Sequence, residues 1–147
     1  MKFYKMSGTG NDFVLLDDRD GTLNADLATL VPALCHRRNG VGADGVLVIE
    51  RAAGADFRMR YHNADGGEVA FCGNGGRCIA WFAHAIGAAG PRMSFTAGDG
   101  THTAEVAGSR VKLSMRDPQE IKLNFLLDLE GRGYAASFAD TGVPHVV

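Results

Sequence analysis

The segment that follows Cys72 constrains the fold more than any other part of the sequence. Beyond a glycine-rich start it predicts a helix over 77–86, whose apolar residues cover almost the whole circumference: Ile79, Ala80, Trp81, Phe82, Ala83, Ala85 and Ile86. In a globular protein, a helix that is apolar on every side is buried on every side. The segment therefore predicts a central helix enclosed by a curved β-sheet, with Cys72 at the mouth of its N-terminus.

Most of the remaining pattern indicates strands. Short apolar runs bounded by Gly, Asn and Asp are typical of strands, and they occur at about 2–6, 13–16, 46–49, 57–61, 93–96, 101–106, 110–115, 121–127, 134–138 and 145–147. One further helix is predicted from about Leu27 to Arg38, with Asn24-Ala25-Asp26 as its cap. Because strands and helices do not alternate regularly, the chain is expected to be α+β.

Composition and charge exclude several classes of protein. The 147 residues suffice for one domain, and no linker is visible. The net charge of −2 argues against a sequence-independent nucleic-acid binder. No apolar stretch has the length of a membrane span or the position of a signal peptide. Three cysteines are too few and odd in number for a disulfide framework. We therefore expect a cytoplasmic protein with free thiols and without a nucleic-acid or membrane partner.

Two motifs that suggest a cofactor or metal have the wrong context. Residues 40–45 match the G-x-G-x-x-G pattern of dinucleotide sites, but a predicted helix precedes them and a strand follows, which reverses the required order. They are interpreted as a tight helix-to-strand connection. Cys72 and Cys78 are six residues apart, unlike the C-x-x-C of metal sites. The sequence therefore predicts neither a bound cofactor nor a metal ion.

Cys72 stands directly before the helix start Gly73-Asn74-Gly75-Gly76. Backbone N–H groups at a helix start carry partial positive charge and lack acceptors in the helix. They can hold an anion and stabilise a thiolate beside it, and Gly73 and Gly75 would let a ligand approach the backbone closely. Two other cysteines fall inside apolar helices and are interpreted as core residues: Cys35 and Cys78. Cys72 is the candidate for chemistry.

The segment from Asn63 to Cys78, NADGGEVAFCGNGGRC, resembles the first signature of the diaminopimelate epimerase family. The start at 2–13, KFYKMSGTGNDF, is similar to the beginning of that family, and 40–45 and 142–145 fall where the family has similar stretches. The resemblance runs from residue 3 to the end of the sequence. It implies that family's fold, in which a curved mixed sheet or barrel surrounds a central buried helix.

The resemblance also implies an activity, the cofactor-independent interconversion of LL- and meso-diaminopimelate for lysine and cell-wall synthesis. Such enzymes place two cysteines on opposite faces of the substrate, where a thiolate removes the α-proton and a thiol delivers one. Cys72 matches one member of the pair. By the same resemblance, the backbone of Gly73 and Asn74 would hold the α-carboxylate, the side chains of Asn11 and Asn63 would bind the far end of the substrate, and His145 would tune the catalytic thiols.

Family members are roughly twice as long as this sequence and consist of two similar halves that face each other across the substrate. Residues 1–147 are therefore expected to be the N-terminal domain of a two-domain epimerase, inactive without the C-terminal half unless a homodimer brings two copies of Cys72 together. Where many members have Asn this sequence has Val143, and where some have Gln it has Gly45, so two side chains that contact the ligand in those members are missing. Two alternatives remain open: a proline racemase-like epimerase, against which Asn74 speaks, or a non-catalytic carboxylate-binding module.

Overall fold

The computed structural model describes residues 1–23 and 25–147. Asn24, predicted to help cap the first helix, lies outside the described residues, and the cap is Asp26, whose side chain accepts from the Ala28 N–H. The chain divides into two compact units, Met1–Ser114 and Met115–Val147. No change in composition marks this boundary in the sequence.

The first unit combines one eight-stranded sheet with two helices. Its elements are β1 (Tyr4–Gly8), β2 (Asn11–Asp17), α1 (Leu27–Cys35), β3 (Gly45–Glu50), β4 (Phe57–Asn63), β5 (Glu68–Val69), α2 (Gly73–Ala85), β6 (Arg92–Ala97), β7 (Gly100–Ala107) and β8 (Arg110–Leu113). The strand order is β1-β2-β3-β4-β6-β7-β8, with β5 paired to β4. The pairs β2–β3 and β4–β6 are parallel and the others antiparallel, so the sheet is mixed.

The second unit contains a three-stranded antiparallel sheet. Its strands are β9 (Gln119–Leu129), β10 (Arg132–Asp140) and β11 (Pro144–Val146). All three lie close to segments that the sequence predicts as strands, and the structure extends β9 and β10 by one or more residues at each end.

The central strands β2 and β3 are buried on both faces because a helix packs against each face. Phe13 and Leu47 belong to the core on the α2 side, whereas Val14 and Val46 belong to the core on the α1 side. A strand covered on both faces has a continuous apolar run instead of alternation. This accounts for the unbroken runs at 13–16 and 46–49.

The sheet curls around α2, which contacts strands from β1 at one edge to β8 at the other. The predicted α+β fold with a curved mixed sheet around a central helix is confirmed. The prediction that this helix is buried on every side is wrong, because His84 is exposed and Trp81 is 37% exposed. The Trp81 indole N–H lies on that open side and donates to the Gly108 carbonyl oxygen at 3.0 Å.

Helix α2 also begins four residues earlier than predicted, at Gly73 instead of Arg77. Glycine is a poor helix former, but a close approach of helix to sheet requires it here. A Cβ atom on Gly75 would lie 3.0 Å from Leu47 Cδ2, and one on Gly76 would lie 3.0 Å from Leu113 Cδ2. Tertiary packing therefore overrides the local preference.

Helix α1 ends at Cys35, earlier than the predicted Arg38, because the following chain folds back on its last turn. The Gly42 N–H donates to Leu34 O at 3.0 Å and the Ala43 N–H to Cys35 O at 3.1 Å. A Cβ atom on Gly40 would lie 2.1 Å from the Ala33 carbonyl oxygen. The interpretation of 40–45 as a tight helix-to-strand connection is confirmed.

Within the described parts of the chain, the helices are too short or too polar to cross a lipid bilayer.

Candidate active site

The ends of three neighbouring strands bring the predicted polar residues together at one end of the sheet. Asn11 begins β2, Gly45 begins β3 and Asn63 ends β4. Since β2 and β3 are parallel and β4 runs antiparallel to β3, these three ends coincide, and Gly45 pairs directly with Asn63. The N-terminus of α2 reaches the same end of the sheet, because Asn74 Nδ2 donates to Asn11 Oδ1 at 2.7 Å.

Cys72 is the N-cap residue of α2. Its backbone is extended, with φ −144° and ψ 118°, and its Sγ accepts a hydrogen bond from the Gly75 N–H at 3.4 Å. Its carbonyl oxygen accepts from the Gly76 N–H at 2.7 Å. The two earlier N–H groups of the first turn, on Gly73 and Asn74, have no acceptor within the helix. They are available to an anion beside the partly exposed thiol.

The other two cysteines are core residues, as the sequence predicts. All three thiols are free, but Cys78 is only 3% exposed and Cys35 is buried. Burial raises the pKa of Cys78 to about 11 and also raises the pKa of Cys35. Both therefore remain protonated near neutral pH, and neither lies at a helix start.

Asn11 is held on both sides by hydrogen bonds. Its Nδ2 donates to Asp44 Oδ2 at 3.0 Å, while its Oδ1 accepts from Asn74. The hydrogen bond from Asn11 is the main reason why the pKa of Asp44 is lowered, so Asp44 stays ionised. One of the two N–H groups on Asn11 Nδ2 remains for a ligand.

Asp44 is a positioning residue that the sequence did not reveal. Its carboxylate also accepts from the Asp12 backbone N–H at 3.1 Å and from Arg37 at 2.7 Å. The contacts with Asn11 and Asp12 join residues far apart in the chain, and local sequence pattern carries no sign of them. The only signal was an acidic residue in the connection directly before a buried strand.

Asp12 extends this network into an ion cluster, because Arg37 binds both Asp44 and Asp12. The Arg37 guanidinium binds both carboxylate oxygens of Asp12, at 2.8 and 3.1 Å, and Lys5 donates to it at 2.8 Å. Arg37 and Lys5 hold the pKa of Asp12 well below its ordinary value. The cluster joins the β1–β2 hairpin to the connection between α1 and β3.

The side chain of Asn74 hydrogen-bonds to neighbouring side chains, whereas its backbone N–H is the group at the candidate anion position. Its Oδ1 accepts from the Arg77 guanidinium, which also donates to Thr9 Oγ1 at 3.1 Å. Thr9 has φ 53° in the β1–β2 turn. The start of α2 is thus fastened to that turn.

Gly75 does not have the ligand-facing role predicted for it. It is buried, and its missing side chain lets Leu47 and Met59 approach the helix. Gly73 remains partly exposed at the helix start, where the prediction placed it.

Asn63 is the last residue of β4 and lies at the rim of the site. Its N–H donates to Gly67 O at 3.0 Å and its carbonyl oxygen accepts from the Gly66 N–H at 2.9 Å, which fixes the predicted turn at 63–67. The side chain is exposed, and its Oδ1 accepts from the Tyr61 hydroxyl at 2.7 Å. Tyr61 was not singled out by the sequence.

His145 belongs to the second unit, in strand β11. Its Nδ1 lies 2.6 Å from the Val143 carbonyl oxygen, and the residue is exposed. Its role toward the thiols stays a prediction.

Residues 3–121 match the family model described as diaminopimelate epimerase, which is well over half of the chain. The chain belongs to the diaminopimelate epimerase family. The family resemblance read from the signature at 63–78 is confirmed.

Relatives with the name diaminopimelate epimerase match nearly the whole chain. The Chlorobaculum tepidum protein is 46% identical over 145 residues, which cover 97% of this chain and 54% of that protein. The Archaeoglobus fulgidus protein is 40% identical over 158 residues, covering 98% and 56%. The chain therefore spans about half the length of the diaminopimelate epimerases that it matches.

Solved structures share the fold at low sequence identity. A phenazine biosynthesis protein of the PhzF family from Bacillus anthracis has a TM-score of 0.72 at 18% identity, covering 99% of this chain and 55% of that chain. A hydroxyproline epimerase from Agrobacterium vitis has a TM-score of 0.68 at 13% identity, covering 98% and 50%. At these identities the likeness shows a shared fold.

Proposed function

We propose that this chain supplies one half of the active site of a diaminopimelate epimerase that interconverts LL- and meso-diaminopimelate without a cofactor. The observation that carries the proposal is the position of Cys72. Among the three cysteines it alone is partly exposed, and it caps a helix whose first N–H groups are available beside it. The matching relatives bear the name of this activity.

The N-terminus of α2 fits the binding of an amino-acid carboxylate. The N–H groups of Gly73 and Asn74 point out of the helix, where the helix dipole favours an anion. A carboxylate held there places its α-carbon next to Cys72. When the α-proton leaves, negative charge spreads from the α-carbon into that carboxylate, and the same N–H groups stabilise it.

Cys72 exchanges one proton with the α-carbon. As a thiolate it takes the α-proton, so that the C–H bond breaks, an S–H bond forms and the electron pair remains with the α-carbon. The hydrogen bond from the Gly75 N–H stabilises the thiolate before that step. In the reverse direction the Cys72 thiol returns the proton to the same face.

Inversion needs a second acid on the opposite face of the α-carbon. Cys35 and Cys78 are buried in the core and do not supply it. We infer that residues 1–147 form the N-terminal domain of a two-domain epimerase and that the second cysteine comes from a C-terminal half. A homodimer that places two copies of Cys72 face to face is the alternative source. Free thiols throughout the chain fit a cytoplasmic enzyme.

Asn11 and Asn63 are proposed to bind the far end of diaminopimelate. Both carboxamides lie at the end of the sheet where α2 begins, and each retains N–H groups for a ligand. A substrate with a second amino-acid group at its far end uses such donors.

The experiment is an epimerisation assay with the chain and a separately expressed C-terminal half of a relative. Chiral chromatography of LL-diaminopimelate should show conversion to the meso form by the mixture. Cys72→Ala should abolish the conversion, whereas the matched control Cys35→Ala should retain it. Conversion that survives Cys72→Ala would refute the assignment of Cys72 as base and acid.

A further inference from the structure

Tyr61 and Asn63 lie on the same face of the sheet as the N-terminus of α2. They are two residues apart in β4, so their side chains point to the same side. Gly45 pairs with Asn63 and Leu47 pairs with Tyr61 across the β3–β4 ladder. Gly45 is therefore the diagonal neighbour of Tyr61 and the direct neighbour of Asn63.

The absence of a side chain at Gly45 leaves the space that the Tyr61 ring occupies. A Cβ atom on Gly45 would lie 2.7 Å from Tyr61 Cε2 and 2.5 Å from the His62 carbonyl oxygen. The ring is 8% exposed and packs edge-on against Phe13, with centroids 5.9 Å apart. Its position, and with it the position of the hydroxyl, is fixed by the core.

The Tyr61 hydroxyl donates its proton to Asn63 Oδ1 at 2.7 Å. A buried hydroxyl needs an acceptor for its proton, and a reversed carboxamide would present it with a second donor. Burial raises the pKa of Tyr61 to about 12, so the phenol remains a donor at neutral pH. The two N–H groups of the exposed Asn63 then face away from the ring.

We infer that Tyr61 is a positioning residue that sets the specificity of the site: its hydroxyl holds the Asn63 carboxamide with the N–H groups toward the ligand, so that Asn63 selects a carboxylate at the far end of the substrate. This inference rests on the proposed function, because it assumes that Asn63 contacts the distal group. Two N–H donors match the oxygens of a carboxylate and offer nothing to an ammonium group.

Three amino-acid ligands test the carboxylate and the ammonium at the far end separately. Diaminopimelate has both a carboxylate and an ammonium at its far end, 2-aminopimelate has the carboxylate alone, and lysine has the ammonium alone. All three share the amino-acid end that would bind beside Cys72. Titration of the ¹⁵N-labelled chain with each, followed by NMR, gives their affinities and reports the Asn63 side-chain amide directly.

For the unchanged chain, we expect diaminopimelate and 2-aminopimelate to bind more tightly than lysine. Tyr61→Phe keeps the ring and removes only the hydroxyl, so it should shift the Asn63 amide signals. It should weaken the two carboxylate-bearing ligands by about 3- to 10-fold, the effect of one lost hydrogen bond, and leave lysine unchanged. Tyr4→Phe, which removes a hydroxyl from the ring packed against Phe82, is the matched control and should change none of these.

A second variant keeps the test decisive if Tyr61→Phe folds poorly. Asn63→Asp replaces the donors by acceptors at an exposed position and should reverse the preference in favour of lysine. Equal losses for all three ligands in Tyr61→Phe, or unchanged Asn63 signals, would overturn the inference and leave the proposed function intact. Failure of diaminopimelate to bind the unchanged chain would overturn both the inference and the proposed function. This result differs from equal losses in Tyr61→Phe and from unchanged Asn63 signals.

Discussion

The N–H of Gly75 donates a hydrogen bond to the sulfur of Cys72, 3.4 Å away, across the first turn of α2. A helix cap is ordinarily an oxygen of Ser, Thr, Asp or Asn. With a thiol in that position, the group that caps the start of α2 is the same sulfur that is proposed to react with the substrate.

Loss of the Asp44 carboxylate should weaken substrate binding without changing the thiol. Asp44→Ala removes the acceptor that holds Asn11 Nδ2 and leaves the carboxamide held only by Asn74. Affinity for diaminopimelate should fall by about 10- to 150-fold, the range for a hydrogen bond to a charged group, while the alkylation rate of Cys72 stays the same. Calorimetric titration and a labelling time course measure the two quantities. A loss of affinity accompanied by rapid alkylation of the buried Cys35 and Cys78 would instead show general unfolding.

Gly40→Ala should destabilise the first unit. The added Cβ would lie 2.1 Å from the Ala33 backbone carbonyl oxygen, which cannot move without disturbing the end of α1. We expect a loss of about 1–3 kcal/mol, the usual range for overpacking, seen as a lower midpoint of thermal unfolding. Gly90→Ala is the matched control, because the nearest atom to its added Cβ is 3.7 Å away. Equal midpoints for the two variants would contradict the packing argument.

Stability should decline in acid through the cluster around Asp12. Its pKa is lower in the folded chain than its ordinary value of 3.8, so the unfolded chain takes up its proton first as the pH falls. The stabilisation is fully present above that ordinary value and is lost as the pH falls through the folded pKa. Asp12→Asn should therefore lower the unfolding midpoint at pH 7 and lower it less at pH 2 to 3. A difference independent of pH would exclude the charge of Asp12 as its cause.

The fold follows from the sequence because its main signals are local. The continuous apolar runs of β2 and β3 and the apolar segment of α2 each require burial, and a curved sheet around one helix provides it. The sequence predicts the start of α2 four residues too late, because glycine disfavours a helix that the packing of Gly75 on Leu47 and of Gly76 on Leu113 imposes. Boundaries set by packing are not encoded in local pattern.

The residues of the candidate site likewise fall into those that local sequence predicts and those that it does not. Cys72 and its glycine-rich helix start are contiguous, and the sequence predicts them. Asp44 and Tyr61 act on Asn11 and Asn63 through contacts that depend on strand register. A sequence pattern names the groups that touch a ligand more readily than those that hold them in place.

The chain alone should not convert LL- to meso-diaminopimelate. A single base returns the proton to the face from which it was taken, and the two remaining cysteines are buried. Chiral chromatography after prolonged incubation of mass-verified chain with LL-diaminopimelate measures this. Formation of the meso form that is abolished by Cys72→Ala would favour a symmetric dimer instead of a C-terminal half.

The order in which the three thiols react shows directly whether Cys72 belongs to the active site. Limited treatment of the native chain with iodoacetamide near neutral pH, followed by peptide mapping, should show Cys72 alkylated first, because thiolates are the reactive form and the other thiols are buried with raised pKa values. Diaminopimelate should slow the reaction of Cys72. Preferential labelling of Cys35 or Cys78, or labelling of Cys72 that diaminopimelate does not slow, would contradict the assignment of Cys72 to the site.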